Sequence, residues 1–171
     1  MKAIVASLRI IGIDPGTVRM GYAVVEDAGG DPHAVAWGAL TAPSRLVLGQ
    51  RLHCLYAQLL EIMELHHPAY AAVEEPFVSN NARTAMAIGQ AQGLALMAAA
   101  QAGIPVAGYS PRQVKLAVAG SGAALKEQVQ QAVALHLRLP ELSGALDASD
   151  ALAVALCHLQ TVRAERLLRA M

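Results

Sequence analysis

The first forty residues of the chain carry the hydrophobic pattern of β-strands. Residues 8–13 form a largely apolar run suited to a central strand, and this run leads into an Asp-Pro-Gly turn signal. Strand-like segments resume at residues 21–25 and 34–40, on either side of a glycine- and proline-containing loop at 29–32. Three strands joined by short loops predict an antiparallel meander.

Helical periodicity follows and is interrupted by two shorter strands. We expect Ser44 to cap the first helix, whose apolar face continues to Met63, and Pro68 to separate it from a strand at residues 70–74. The later elements are predicted in the order helix, strand, helix, helix, helix. Their expected bounds are Asn80 or Asn81 to about Gln101, 104–107, 111–118, 125–137, and from about Asp147 onward.

This order of elements predicts a single α/β domain spanning residues 1–171. Three antiparallel strands followed by two parallel strands predict a mixed five-stranded sheet flanked by helices. A composition of 55% hydrophobic and 15% charged residues excludes a disordered chain. Because no apolar stretch reaches the roughly 18 residues of a membrane span, we expect a cytoplasmic protein without a membrane partner. Cys54 and Cys157 lack metal-ligand spacing.

Four carboxylates occupy positions that indicate a metal site. Asp14 and Glu74 each end an apolar strand, where a charged group is unfavourable unless a positive group lies beside it. Asp147 and Asp150 are three residues apart, which places both on one face of the last helix. Hard oxygen ligands suit Mg²⁺ or Mn²⁺, and two such ions about 4 Å apart can hydrolyse a phosphodiester. These acids therefore predict a metal-dependent nuclease.

Each carboxylate taken alone has a structural explanation, except one. Asp14 is suited to begin a turn, Asp147 to cap a helix and Asp150 to interact with the helix dipole, whereas Glu74 at a strand end has no such role. The charge balance is also ambiguous, because 13 basic and 13 acidic residues leave no excess for DNA binding. Two divalent ions on the four acids would leave 13 positive charges against 9 negative ones, which is consistent with a DNA partner.

Four segments that cover nearly the whole chain contain or flank the four acids. They are IIGIDPGTVRMGYAVV, YAAVEEPFVSNNARTAMAIGQAQGLAL, YSPRQVKLAVAGSGAALKEQVQ and ALDASDALAVALCH. In sequence, order and spacing they resemble segments of the RuvC Holliday-junction resolvases, which belong to the RNase H-like nuclease superfamily. The resemblance implies an RNase H-like fold for the predicted sheet.

The resemblance also implies an activity and its residues. Asp14, Glu74, Asp147 and Asp150 would be the catalytic acids, with two Mg²⁺ ions in each active site and Mn²⁺ as a substitute. The family makes symmetric nicks in four-way junction DNA and leaves 5′-phosphate and 3′-hydroxyl ends. It acts as a homodimer alongside the branch-migration proteins RuvA and RuvB.

Several residues near the acids are predicted to contact DNA. Lys115 and Lys126 match family lysines near the cleaved phosphate, and Arg112 lies on the same helical side as Lys115. An ordinary solvated face is the alternative for all three. Phe77, the only Phe in the chain, is either a core residue or an exposed aromatic that stacks on a junction base.

Two departures from the family pattern follow Glu74. Glu75 stands where members often carry Gln, so it is a rival for the role of Glu74; strand alternation allows only one of the pair to face the site. Ser79, Asn80 and Asn81 stand where a Lys is common in the family. That difference would weaken a phosphate contact at this loop.

Gly89 and Gly93 lie four residues apart on one face of the predicted long helix. Gly costs about 1 kcal/mol in a helix interior, so we expect close backbone packing there, against either the sheet or a second subunit. The resemblance implies a dimer contact on this helix, and a two-fold dimer would match a two-fold junction. A basic stripe at the end of the last helix either touches DNA or is solvated; its members are Arg163, Arg166 and Arg169.

Three other functions fit part of the sequence. An RNase H-like nuclease acting on RNA or on non-junction DNA would share all four acids. An actin-like ATPase or sugar kinase would share the Asp-x-Gly-Thr pattern at residues 14–17, but it lacks a place for Glu74, and 171 residues are too few for its two lobes. A junction-binding module without activity is disfavoured because all four acids are present.

Overall fold

The computed structural model describes residues 7–75, 81–140, 146–169 and 171, with only the helical backbone at positions 146–147. The helices and strands are, in chain order, β1 Leu8–Asp14, β2 Arg19–Asp27, β3 Pro32–Thr41, α1 Leu48–His66, β4 Tyr70–Glu74, α2 Ala82–Gln101, β5 Val106–Tyr109, α3 Pro111–Ala119, α4 Lys126–Leu137 and α5 Leu146–Arg169. No helix in these described stretches is long and apolar enough to cross a membrane.

The five strands form one mixed sheet in the order β3-β2-β1-β4-β5. β1 pairs antiparallel with β2, and β2 pairs antiparallel with β3. β1 and β4 are parallel, as are β4 and β5, because α1 and α2 return the chain to the same edge before each of the last two strands. The predicted fold class, three antiparallel strands followed by two parallel ones with flanking helices, is confirmed.

The sheet separates two hydrophobic cores, because successive residues of a strand point to opposite faces. On β1, Ile11 and Ile13 pack with α1 and α2, whereas Ile10 packs on the face covered by α5. α5 is buried at every position from Ala151 to Leu159. This complete burial explains why its sequence is apolar there on all sides and lacks an amphipathic period.

The predicted start of the first helix is wrong. α1 begins at Leu48 with Val47 as its N-cap, and no side chain caps it. Ser44 lies instead in a turn, where the backbone N–H of Leu46 donates to the carbonyl of Pro43 at 3.0 Å. A proline followed by a serine favours such a turn as well as a cap, and the turn is what forms.

β5 begins two residues later than predicted. The backbone N–H of Ile104 donates to the carbonyl of Ala99 at 2.9 Å, so Ile104 takes part in the turn that terminates α2. The strand then pairs with β4 from Val106 onward. The apolar residue at 104 is therefore explained by helix termination and by packing in the α1–α2 core.

Candidate active site

The carboxyl ends of β1 and β4 lie side by side at one edge of the sheet. The two strands are parallel neighbours, so Asp14 and Glu74, their last residues, reach the same level. Gly12 on β1 and Ala72 on β4 face α5, and each lies two positions before one of these acids. The sheet therefore brings two of the four predicted acids together beneath α5.

The first turns of α5 lie over this edge. Ala151 of α5 contacts Gly12, two residues before Asp14 on β1. Asp150, the residue before Ala151, is half-buried, and its negative charge acts on Glu74. Asp147 begins the same helix one turn earlier; its side chain lies outside the described part of the structure.

The pKa of Glu74 is raised from 4.5 to about 7. Removal from water is the largest cause, and the negative charges of Asp14 and Asp150 follow. The protonated Glu74 carboxyl also donates a hydrogen bond to Asp14, which favours the neutral form further, while the charge of Lys126 lowers the pKa. Burial together with the neighbouring negative charges therefore lets Glu74 retain a proton near neutral pH.

Glu75 lies on the other side of the sheet. Its side chain is exposed and covers Gly108 of β5, where an added Cβ would lie 2.4 Å from Glu75 Oε1. Gly108 pairs with Val73, which belongs to the α1–α2 core on the opposite face from Glu74. Strand alternation thus places only Glu74 with the other acids, and Glu75 is separated from them by the sheet.

Lys126 brings a positive charge to this acid cluster. It is the first residue of α4, and its Nζ lies 2.9 Å from Asp150 Oδ2. Both side chains are partly exposed, so the pair is open to solvent. A positive side chain therefore already contacts one of the acids predicted to bind metal.

The other predicted basic residues lie on α3, which packs against α5. Lys115 is half-buried on this helix, and Arg112 is exposed near its start. The aliphatic part of Arg112 lies over Gly122 in the loop between α3 and α4, where an added Cβ would lie 2.8 Å from Arg112 Cγ. Arg112 thus supports the loop that leads to Lys126.

Between β4 and α2 the structure describes Glu75 and Asn81, and residues 76–80 lie outside the described part. Asn81 is the N-cap of α2, and its Oδ1 accepts hydrogen bonds from the backbone N–H groups of Arg83 and Thr84 at 3.1 and 3.3 Å. Its predicted capping role is confirmed. Phe77 and Asn80 lie outside the described residues.

The donor set fits a hard divalent cation in chemistry. Asp14, Glu74 and Asp150 all offer carboxylate oxygens, and a cation between them would remove the repulsion that raises the pKa of Glu74. Among the side chains that the structure describes, no three His, Cys, Asp or Glu groups converge closely enough to hold an ion on their own. The side chain of Asp147, the remaining predicted ligand, is not among them.

The α2 glycines do not pack against the sheet. A Cβ added to Gly89 or Gly93 would meet no described atom within 4 Å, so the predicted close approach is wrong for the sheet. Gly93 is exposed and lines a mainly apolar cavity of about 410 Å³ between α1 and α2. Its other lining residues are Leu52, His53, Tyr56, Gln90, Leu94 and Met97.

The C-terminal basic stripe is at least partly structural. Arg163 contacts both carboxylate oxygens of Asp27 at 2.9 Å, and this hydrogen bond is the largest cause of the lowered pKa of Asp27. The pair fixes α5 to the end of β2. Neither alternative for the stripe, contact with DNA or a solvated face, included this structural partner of Arg163.

One residue of the site region escaped sequence-based prediction. Gly12 is the point at which α5 approaches the sheet most closely among the glycines described, and it precedes Asp14 by two positions. Its signal in the sequence is a glycine within an otherwise apolar strand, a pattern that marks close backbone approach.

Comparison with known proteins agrees with this geometry. Residues 10–158 match the family model described as Crossover junction endodeoxyribonuclease RuvC. The chain belongs to the RuvC family. The RuvC crossover junction endodeoxyribonuclease of Roseiflexus sp. (strain RS-1) is 51% identical over 150 residues, which cover 88% of this chain and 89% of that protein. The RuvC protein of Pelotomaculum thermopropionicum is 47% identical over 94% of this chain and 98% of its own length.

Solved structures extend the RuvC match to three dimensions. The structure of T. thermophilus RuvC in complex with a Holliday junction substrate has a TM-score of 0.87 and is 34% identical, covering 92% of this chain and 96% of that one. The yeast mitochondrial Holliday junction resolvase, at 13% identity and a TM-score of 0.60, shares the fold. The RuvC family comprises metal-dependent nucleases, in agreement with the carboxylate cluster.

Proposed function

We propose that this RuvC family member resolves Holliday junctions by paired symmetric nicks, with Mg²⁺ bound by Asp14, Glu74, Asp147 and Asp150. The observation that carries the proposal is the cluster in which Asp14, Glu74 and Asp150 interact at one sheet edge. A RuvC protein of the same fold is known in complex with a Holliday junction substrate. A pair of Mg²⁺ ions at these acids would activate water and stabilise the leaving oxygen.

The residues of the chain have separate tasks in this reaction. Glu74 must lose its proton before it can act as a ligand, and its pKa of about 7 places that loss within the physiological range. Asp150 contacts Lys126, whose ammonium group is close enough to exchange this partner for a DNA phosphate. Lys115 and Arg112 on α3 extend the positive surface beside the acids, and Phe77, Asn80 and Asn81 are assigned to contacts with the same DNA.

The activity is tested by incubating the protein with a synthetic four-way junction and with a duplex of equal length. We expect paired nicks in the junction that require Mg²⁺ or Mn²⁺, and little cleavage of the duplex. Asp14→Asn should abolish cleavage, while Glu75→Gln, the matched control on the opposite sheet face, should leave it intact. Equal cleavage of duplex or of RNA would instead assign the site to another RNase H-like substrate. Undiminished cleavage by Asp14→Asn would remove the metal assignment.

The exposed side of α2 is the proposed dimer surface. Met86 and Met97 are 67% and 59% exposed on this helix, and Gly93 lets a partner approach the backbone beside the apolar cavity. An exposed apolar stripe of this kind is typical of a subunit interface. Sedimentation at micromolar concentration should show a dimer, and a monomer at all concentrations would contradict this part of the proposal.

The wider assignments follow from the family. A junction resolvase acts on the product of strand exchange, so we place this chain in the cytoplasm beside RuvA and RuvB. Co-sedimentation of the protein with RuvA and RuvB on junction DNA tests the partnership. If co-sedimentation is lost when duplex replaces the junction, the junction DNA holds the three proteins together and a direct protein contact does not.

A further inference from the structure

Gly12 occupies the centre of β1, between Ala23 of β2 and Ala72 of β4. Its φ is negative, since the positive-φ glycines among the described residues are at positions 29, 30, 103 and 120. Any residue can therefore adopt the backbone conformation at position 12. Glycine is needed here because there is no room for a Cβ, and its special backbone freedom is not used.

The space at Gly12 is taken by the backbone of α5. A Cβ built on Gly12 would lie 2.1 Å from the carbonyl oxygen of Ala151, 2.7 Å from the backbone nitrogen of Ala155 and 2.9 Å from its Cβ. Real Cβ contacts essentially never fall below 3.0 Å. Two of the three atoms are backbone, so no side-chain rotation relieves the clash. The helix itself would have to move, by about 1 Å to bring the shortest contact to that limit.

This contact adjoins the acid cluster on both elements. Gly12 precedes Asp14 by two residues on the same face of β1, and Ala151 directly follows Asp150 on α5. Asp14 and Glu74 on the sheet and Asp150 on the helix therefore meet at a separation that the Gly12 contact sets. A metal site tolerates only about 0.5 Å of displacement among its ligands, which is less than the shift that a methyl group at position 12 requires.

We propose that Gly12 is a positioning residue of the metal site, which holds α5 at the distance where Asp150 of the helix and the sheet acids Asp14 and Glu74 can bind a small divalent cation together. This inference rests on the proposed function, because it takes the four acids as ligands. Widening the gap should weaken binding of Mg²⁺, whose ligand distances are about 2.0–2.1 Å, more than binding of Ca²⁺, which accepts about 2.3–2.6 Å.

The test is a calorimetric titration of Mg²⁺ alone and Ca²⁺ alone into the metal-free protein, the Gly12→Ala variant and a Leu59→Ala control. Leu59 is fully buried in the α1–α2 core on the opposite sheet face, so its truncation lowers stability without adding anything beneath α5. We expect Gly12→Ala to lose about 10-fold in Mg²⁺ affinity, the size typical of ligand-orienting groups, and to lose less in Ca²⁺ affinity. Leu59→Ala should keep both affinities and their ratio.

Three results would overturn the proposal. If Gly12→Ala folds and keeps both metal affinities, the position of α5 does not control metal binding. If Leu59→Ala loses as much Mg²⁺ affinity as Gly12→Ala, the loss reflects lower stability in general. If Gly12→Ala does not fold, the double variant with Ala155→Gly, which removes one of the three contacts, is titrated instead. Failure of both to fold would assign Gly12 to the fold alone. Absence of Mg²⁺ binding to the unaltered protein would refute the proposed function itself, a separate outcome.

Discussion

Replacing Glu74 by Gln should stabilise the metal-free protein above neutral pH. Gln has the shape of the protonated glutamic acid and can donate the same hydrogen bond to Asp14, but it cannot ionise. In the folded protein the pKa of Glu74 is about 7, against 4.5 for the exposed side chain. The folded state thus binds the proton more tightly than the unfolded state, and stability falls as pH rises from about 4.5 through 7.

The size of this effect follows from the two pKa values. The difference between about 7 and 4.5 corresponds to roughly 3 kcal/mol of unfolding free energy lost by pH 8. Glu74→Gln should recover up to that amount, which corresponds to about 6–12 °C in Tm for a domain of this size. Glu75→Gln is the matched control. Because Glu75 is exposed, this substitution should change the unfolding free energy by no more than about 0.5 kcal/mol.

Urea unfolding in EDTA at pH 5 and at pH 8 measures the pH dependence of stability and the effect of each substitution on it. The unaltered protein should be less stable at pH 8, Glu74→Gln should show little of this dependence, and Glu75→Gln should behave like the unaltered protein. In saturating Mg²⁺ at pH 8 the unaltered protein should become more stable than Glu74→Gln. A ligand that binds only the folded state stabilises that state, and Glu74→Gln should bind Mg²⁺ poorly. Equal stabilities of the Glu74→Gln and unaltered proteins at pH 8 in EDTA would refute the raised pKa of Glu74, which burial and the neighbouring acids cause.

Three further predictions concern surrounding residues. Lys126→Met should bind Mg²⁺ more tightly in calorimetry, because the ammonium group no longer competes for Asp150, yet it should cut junctions more slowly; weaker Mg²⁺ binding would contradict this competition. Arg163→Gln should lower the unfolding free energy by about 2 kcal/mol at pH 7. Because Arg163 lowers the pKa of Asp27, this deficit should shrink as pH falls below about 4, and a constant deficit in urea titrations would refute it. Met97→Lys should sediment as a monomer with an unchanged Tm, and a persistent dimer would move the interface elsewhere.

The strand ends that carry Asp14 and Glu74 were predictable because each follows a buried apolar run that only a strand of that length explains. The choice between Glu74 and Glu75 followed in principle from strand alternation. The end of β4 at residue 74 was predicted as the structure has it, but alternation alone does not say which face of the strand carries the other acids, and that needed the structure. Glu75 lies one residue beyond the strand and still keeps to the opposite face, over Gly108.

Contacts between distant segments were beyond prediction. The pairing of Lys126 with Asp150 depends on how α4 docks beside α5, which no local pattern encodes. The glycines at 89 and 93 were recognised as unusual in a helix, but whether a neighbour or an open surface explains them depends on three-dimensional packing. Gly12 shows the converse, since a strand glycine without positive φ has its cause entirely in the helix that covers it.

The burial of α5 on the sheet ties the activity to the order in which the chain is synthesised. β1 and β4 emerge early with Asp14 and Glu74, whereas Asp150 arrives only with the last helix. Until then the part of the sheet around Ile10 and Ala72 lacks the helix that covers it most extensively, and the early acids have no partner from α5. A growing or truncated chain that stops before α5 is thus both unstable and unable to cut DNA, so the nuclease becomes competent only after its fold has closed.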